Sequence, residues 1–168
     1  MKQQRRSLEP YKRLIRFFTV AVLVAALTAV FIFVFKKYYN WGIVFPFYYK
    51  GYWLMGAFYA FFYSIFIHLF GGMKVGYLRM SNLSLSHGLA AMSANITIYL
   101  ETVLLSVRFV TLWPIVLLTC IDMLVILVWV IWSAKLFRKL FPPRNVLLLY
   151  QEYDPMPLWK KVETRSDR

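Results

Sequence analysis

Phe17-Phe18-Thr19-Val20-Ala21-Val22-Leu23-Val24-Ala25-Ala26-Leu27-Thr28-Ala29-Val30-Phe31-Ile32-Phe33-Val34-Phe35 is the stretch on which the fold turns. It holds no Asp, Glu, Lys or Arg, and as a helix rising about 1.5 Å per residue it matches a hydrocarbon core about 30 Å thick. A helix on the surface of a soluble protein keeps a polar face, and this stretch has none, so its solvent is lipid. Lys2, Arg5, Arg6, Lys12, Arg13 and Arg16 precede it as the basic region of a signal peptide would. Signal cleavage, however, needs small residues at the far end, and Phe31 to Phe35 followed by Lys36-Lys37 reads as an uncleaved anchor.

Outward from this first span, three more segments have the required length: 52–70, free of charge, 86–107, which carries Glu101, and 112–134, which carries Asp122. The reading is an all-α integral membrane protein, a four-helix transmembrane bundle. It divides into a basic N-terminus (1–16), the first span (17–35), an aromatic outer loop (36–51), the second span (52–70), a loop (71–85), the third and fourth spans (86–107 and 112–134), and a tail (135–168). Composition agrees: 61% of the residues are hydrophobic, against about 45–50% in a soluble domain, too much apolar surface for a chain this short to hide from water. The net charge of +13 would suit nucleic acid if it formed a stripe on a polar domain. Here the basic residues flank apolar runs instead, so no nucleic-acid partner is expected. The single Cys120 excludes a disulfide framework and a cysteine metal site, and its place inside a span reads as a small buried hydrophobe.

Orientation follows from Lys and Arg close to the spans. With the N-terminus inside, the inner rim holds Lys2, Arg5, Arg6, Lys12, Arg13, Arg16, Lys74, Arg79, Lys135, Arg138, Lys139 and Arg144, and the outer side only Lys36, Lys37, Lys50 and Arg108. Both termini are therefore expected in the cytoplasm, and the basic rim is expected to attract anionic lipids. The outer loop, with Tyr38, Tyr39, Trp41, Phe45, Phe47, Tyr48 and Tyr49, suits the headgroup zone as an aromatic belt.

Helices in lipid associate through small residues that allow close approach. Ala21, Ala25 and Ala29 in the first span, Gly56, Ala60 and Ser64 in the second, and Ala90 and Ala94 in the third recur every fourth position, on one face each. The first three helices are thus expected to pack closely in a compact bundle, and the fourth, rich in Leu, Ile, Val and Trp, to pack more bulkily. Acidic groups in a span are costly and turn inward. Counted from the outer ends, Glu101 lies about 9 Å deep, Asp122 about 15 Å and Asn95 about 18 Å. Asn95 is therefore level enough to hydrogen-bond Asp122, and the three residues are candidates for interhelical bonding or for a relay. Arg108 is placed to lean back on Glu101 or to snorkel outward. His68 and His87, at the inner ends of their spans, read as interfacial histidines, a thin set for a metal. Asn82-Leu83-Ser84 and Asn95-Ile96-Thr97 fit the glycosylation pattern only formally.

Beyond the fourth span, Pro142-Pro143 stops the helix, and Val146-Leu147-Leu148-Leu149-Tyr150 reads as a strand buried on both faces, with a short amphipathic helix over 157–164. Such a strand needs partners and covering helices for which the tail has no room, so the expectation is the first β-α piece of a larger α/β domain, in a chain that is a fragment or a truncation.

Val44-Phe45-Pro46-Phe47, Gly71-Gly72-Met73-Lys74-Val75-Gly76-Tyr77-Leu78-Arg79 and Phe141-Pro142-Pro143-Arg144-Asn145-Val146-Leu147-Leu148-Leu149-Tyr150 carry a resemblance. Over nearly its whole length the chain resembles the N-terminal region of bacterial polyprenyl-phosphate sugar-1-phosphate transferases, which start exopolysaccharide, capsule or O-antigen units. The resemblance implies a Rossmann-like cytoplasmic domain after the spans, incomplete here, and then a catalytic domain that uses acidic residues and Mg²⁺. None of that catalytic portion is in this chain, so no catalytic, cofactor or metal residue is expected in it. The implied role is a membrane-anchoring and assembly module in the bacterial cytoplasmic membrane, as a homodimer or paired with a full-length transferase. The alternatives are a self-contained four-helix transporter or flippase-like protein for lipid-linked sugars, with Asn95, Glu101 and Asp122 lining its path, and a non-catalytic membrane partner of a transferase.

Overall fold

The computed structural model describes residues 11–43 and 51–141, the side chain of Trp41 excepted. Lys2, Arg5, Arg6, Lys50, Arg144, the rest of the outer loop from residue 44, and the expected strand and helix of the tail lie outside the described residues. Among those residues the secondary structure is helical, with no strand: α1 (Lys12–Val34), α2 (Gly51–Leu69), α3 (Met80–Ser106) and α4 (Trp113–Leu140). All four are long and apolar enough to cross a membrane.

α1, α3 and α4 outrun their apolar spans, because apolarity sets where lipid begins whereas hydrogen bonding sets where a helix ends. Lys12 to Arg16 form the opening turns of α1. Beyond Val34 the chain stays wound through a π-turn, Phe35–Tyr39, and a 3₁₀ turn, Asn40–Gly42, so Lys36 and Lys37 sit on a helical path and not in a loop. α3 begins at Met80, well before the third apolar span, and α4 opens with Pro114 in its first turn, where the missing N–H is harmless.

α1 packs on α2 and α4, and α3 packs on the same two, so the helices close a ring. Each turns one face inward at helical spacing: Leu23, Leu27 and Phe31 from α1, Met55, Tyr59, Tyr63 and Ile67 from α2, Ala90, Ala94 and Ile98 from α3, and Leu118, Asp122, Ile126 and Trp129 from α4. The outer faces carry Phe33, 68% exposed, and Leu104, 77% exposed, while Asn95, His87 and Asp122 are buried. Apolar residues outside and polar ones inside is the distribution a lipid solvent selects.

Small residues set the close approaches at Gly56, Ala90 and Ala94, as the fourfold spacing predicts, but the alanine stripe of α1 takes no part in them. A Cβ on Gly56 would meet Ile32 and Thr28, so α1 and α2 touch along those residues. Ala21, Ala25 and Ala29 are exposed on the outside of α1 and line, with Ala60 and Ser64, a lateral groove of about 610 Å³. Ala90 and Ala94 are fully buried in α3, and a Cβ on Gly88 would come within 3.2 Å of the Met123 side chain. The fourth helix therefore packs tightly, its bulky side chains fitting against the small residues of α3.

Two glycines shape the turn between α2 and α3. Gly71 has φ +72°, the Gly71 N–H donates to the His68 carbonyl and the Gly72 N–H to the Ile67 carbonyl, which satisfies the end of α2. Gly76 has φ +80°, and a Cβ there would lie 2.8 Å from the Phe137 ring of α4. Lys12 and Arg16 sit over the Tyr77 ring in the same turn. A side chain at Gly71 meets open space, so Gly71→Ala should cost about 1 kcal/mol for the left-handed backbone. Gly76→Ala adds overpacking against Phe137 and should cost about 2–3 kcal/mol, a difference readable in detergent unfolding curves of the two variants.

Candidate functional site

The most polar place inside the bundle is the α3–α4 seam. Asp122 is fully buried, and its Oδ2 accepts from two neutral donors, the Tyr59 hydroxyl of α2 at 3.1 Å and Asn95 Nδ2 of α3 at 3.0 Å. Asn95 Nδ2 also donates to Thr119 Oγ1 at 3.0 Å. The Thr119 hydroxyl donates its own proton to the Ile115 carbonyl, 2.8 Å away, so toward Asn95 it acts as acceptor. That role fixes which end of the Asn95 amide faces Thr119 and Asp122. Among the described residues Asp122 has no cationic partner.

A second cluster lies toward the α2–α3 turn. The Tyr63 hydroxyl and His87 Nδ1 are hydrogen-bonded at 2.8 Å, and the His87 ring packs edge-on against Trp129, with centroids 4.8 Å apart. Trp129 Nε1 donates to the Thr19 carbonyl of α1 at 3.1 Å. The clusters are joined by stacked rings: Phe31 on Tyr59 at 4.7 Å, nearly parallel, and Tyr59 on Tyr63 at 6.4 Å. Phe31, Tyr59, Tyr63, His87 and Trp129 thus fill the middle of the bundle and tie all four helices together.

The structure brings Asn95 and Asp122 together and leaves Glu101 apart. Glu101 is half-buried, with Oε2 enclosed and unpartnered. Arg108 does not lean back on it: α3 ends at Ser106, and the Arg108 guanidinium reaches for the Gly42 carbonyl at 3.5 Å. His87 is not interfacial, because α3 starts two turns before it and carries it into the core, whereas His68 is exposed. Cys120 is exposed on the outside of α4 rather than buried. Of the expected inner-rim residues, Lys12, Arg13, Arg16, Lys74, Arg79, Lys135, Arg138 and Lys139 all fall at one end of the bundle, where α1 begins and α4 finishes. Lys36, Lys37 and Arg108 fall at the other.

Tyr59, Tyr63 and Thr119 are the residues that sequence reasoning missed. The signal of the two tyrosines was present in α2, where Met55, Tyr59, Tyr63 and Ile67 repeat every fourth position. Among the described residues no three His, Cys, Asp or Glu side chains gather. Set against protein-family models, curated proteins and solved structures, the chain matches none.

Interhelical hydrogen bonds in membranes are worth about 0.6 kcal/mol on average and up to about 1.7. Tyr59→Phe, which keeps the ring stack and removes one donor, should therefore cost about 1 kcal/mol of stability in detergent. Asn95→Leu removes two bonds and should cost about 2–3 kcal/mol. A double-mutant cycle of Asn95 with Asp122 should show coupling, and one of Glu101 with Asp122 should not.

Proposed function

We propose that the chain is the membrane-anchoring and assembly module of a polyprenyl-phosphate sugar-1-phosphate transferase, of the kind that starts bacterial surface polysaccharides, with no catalytic step of its own. The observation that carries this reading over the transporter alternative is the filled interior: Tyr59, Tyr63, His87 and Asp122 are fully buried and held by rings and hydrogen bonds from every helix. A transport path needs a wettable lane between the helices, and this lane is plugged by side chains. The large groove of α1 and α2 opens sideways, where lipid lies.

In this reading the basic end of the bundle faces the cytoplasm of a bacterial inner membrane. Its Lys and Arg residues attract anionic headgroups at about 1 kcal/mol each near the surface. α4 passes through that end and delivers the chain from Phe141 onward to the inner face, where a catalytic domain would be held against its lipid-linked substrate. Pairing with a second copy or a full-length transferase belongs to the same proposal.

The test is a chimera in which these 168 residues replace the membrane region of an active transferase of this type. Labelled sugar phosphate should pass from nucleotide sugar to polyprenyl phosphate in membranes that hold the chimera, and the 168-residue chain alone should transfer none. Asp122→Asn in the chimera should change the rate by less than about threefold, under about 0.7 kcal/mol. Transfer by the isolated chain, or a well-inserted chimera without activity, would overturn the proposal.

A further inference from the structure

Two oxygens in the α3–α4 seam are buried without a hydrogen-bond partner, Asp122 Oδ1 and Asn95 Oδ1. They belong to the two side chains already joined by the bond from Asn95 Nδ2 to Asp122 Oδ2. An unmet acceptor in a low-dielectric interior costs about 1–3 kcal/mol, more if charged. Two of them on one contact therefore point to something that both accept from.

We propose that Asp122 and Asn95 form a binding site for one proton, carried on Asp122 Oδ1 and donated to Asn95 Oδ1. A carboxylic acid and a primary amide pair in this way through two bonds. The amide N–H goes to one acid oxygen, and the acid O–H on the other oxygen goes to the amide carbonyl. The first bond is present at 3.0 Å, and the second satisfies both bare oxygens with a single hydrogen.

The surrounding bonds leave little freedom for another arrangement. The Thr119 hydroxyl spends its hydrogen on the Ile115 carbonyl and accepts from Asn95 Nδ2, so the amide nitrogen cannot exchange places with its oxygen. Tyr59 donates to Oδ2, which makes Oδ2 the carbonyl-like oxygen and Oδ1 the one that carries hydrogen. Without that hydrogen, both oxygens stay unmet in the bundle interior, at the cost of an unsatisfied buried acceptor. The groups that face Asp122 are Tyr59 and Tyr63 from α2 and Asn95 from α3, and Phe31 of α1 lies behind Tyr59. None of them supplies a positive charge that would stabilise an ionised Asp122 instead.

The site goes beyond the anchor reading and does not rest on it, since it concerns the bundle alone. Its test is vibrational. The chain has three aspartates, Asp122, Asp154 and Asp167. With Asp154→Asn and Asp167→Asn, carbon-13 carboxyl labelling of aspartate reports Asp122 only, with its own site unaltered. In lipid vesicles at neutral pH the expected result is the carbonyl stretch of a protonated acid, shifted by deuterium oxide and lost in Asp122→Asn. Carboxylate stretches in its place would overturn the proposal.

Two further measurements separate a proton from other occupants. Exchange of sodium for choline in the buffer should leave the melting temperature of the protein unchanged. Selective stabilisation by sodium would assign the bare oxygens to a metal cation and overturn the proposal. Asp122→Asn puts an N–H where the acid O–H stood and should melt close to the wild type, whereas Asp122→Leu loses both bonds and should melt lower. Equal destabilisation by the two substitutions would also count against the acid–amide pair.

Discussion

The contact between Asn95 and Asp122 is the constraint from which the rest of the bundle follows. Lipid offers no hydrogen bonds, so a carboxyl and an amide in a span must find each other or remain unmet. They lie on neighbouring antiparallel helices, at depths that the chain sets by where α3 ends and α4 begins. A shift of either helix by one residue rotates its side chain by about 100° and moves it about 1.5 Å along the axis, which breaks the pair. The pair therefore selects one register for α3 against α4. The small residues Gly88, Ala90 and Ala94 make that register possible by letting the helices come close enough for short side chains to meet.

The remaining helices are bound to the same point through aromatic side chains. Tyr59 reaches Asp122 from α2 and stacks on Phe31 of α1, and Trp129 returns from α4 to the Thr19 carbonyl of α1. Rings suit this task because they combine large apolar area with one polar edge and few rotatable bonds. Apolar burial gives little association energy when the competing solvent is itself apolar. Specificity in this bundle accordingly rests on a few polar contacts and on shape. That is why the interior holds its Asn, Asp and His, while Phe33, Leu104 and Val128 face outward.

Much of this was legible in the sequence, and the failures have physical causes. The four spans follow from length and hydropathy, because the bilayer fixes both. The nearness of Asn95 and Asp122 follows from counting depth along two antiparallel helices. Which face of α1 turns inward did not follow. Ala21, Ala25 and Ala29 share a face, yet Leu23, Leu27 and Phe31 share another at the same spacing, and in lipid a small-residue stripe and a bulky one are equally at home outside. The start of the apolar run puts His87 at the interface, whereas the backbone enters its helix at Met80, two turns earlier, and carries His87 into the core. The stacked tyrosines of α2 went unread since a tyrosine in a span is compatible with the interface, the core and the lipid surface, and only its partners decide.

The end of α4 connects this core to whatever the chain carries beyond it. From Asp122 to Leu140 the helix is unbroken, about 27 Å of strut at 1.5 Å per residue. Its start, at mid-bundle, is fixed by the polar pair. Its finish, at the basic end, is held by Phe137 against Gly76, by Phe141 packed on Phe137, and by Lys12 over the Phe141 ring. With both ends held, the strut sets the direction in which the chain leaves the bundle, and the glycine at position 76 matters because only a residue without a side chain lets the α2–α3 turn close on Phe137. An anchor that merely kept a domain near the membrane would need no such bracing, since a flexible tether would serve. Under the proposed anchor role, bracing at the exit would serve to present the attached domain to the bilayer in one orientation.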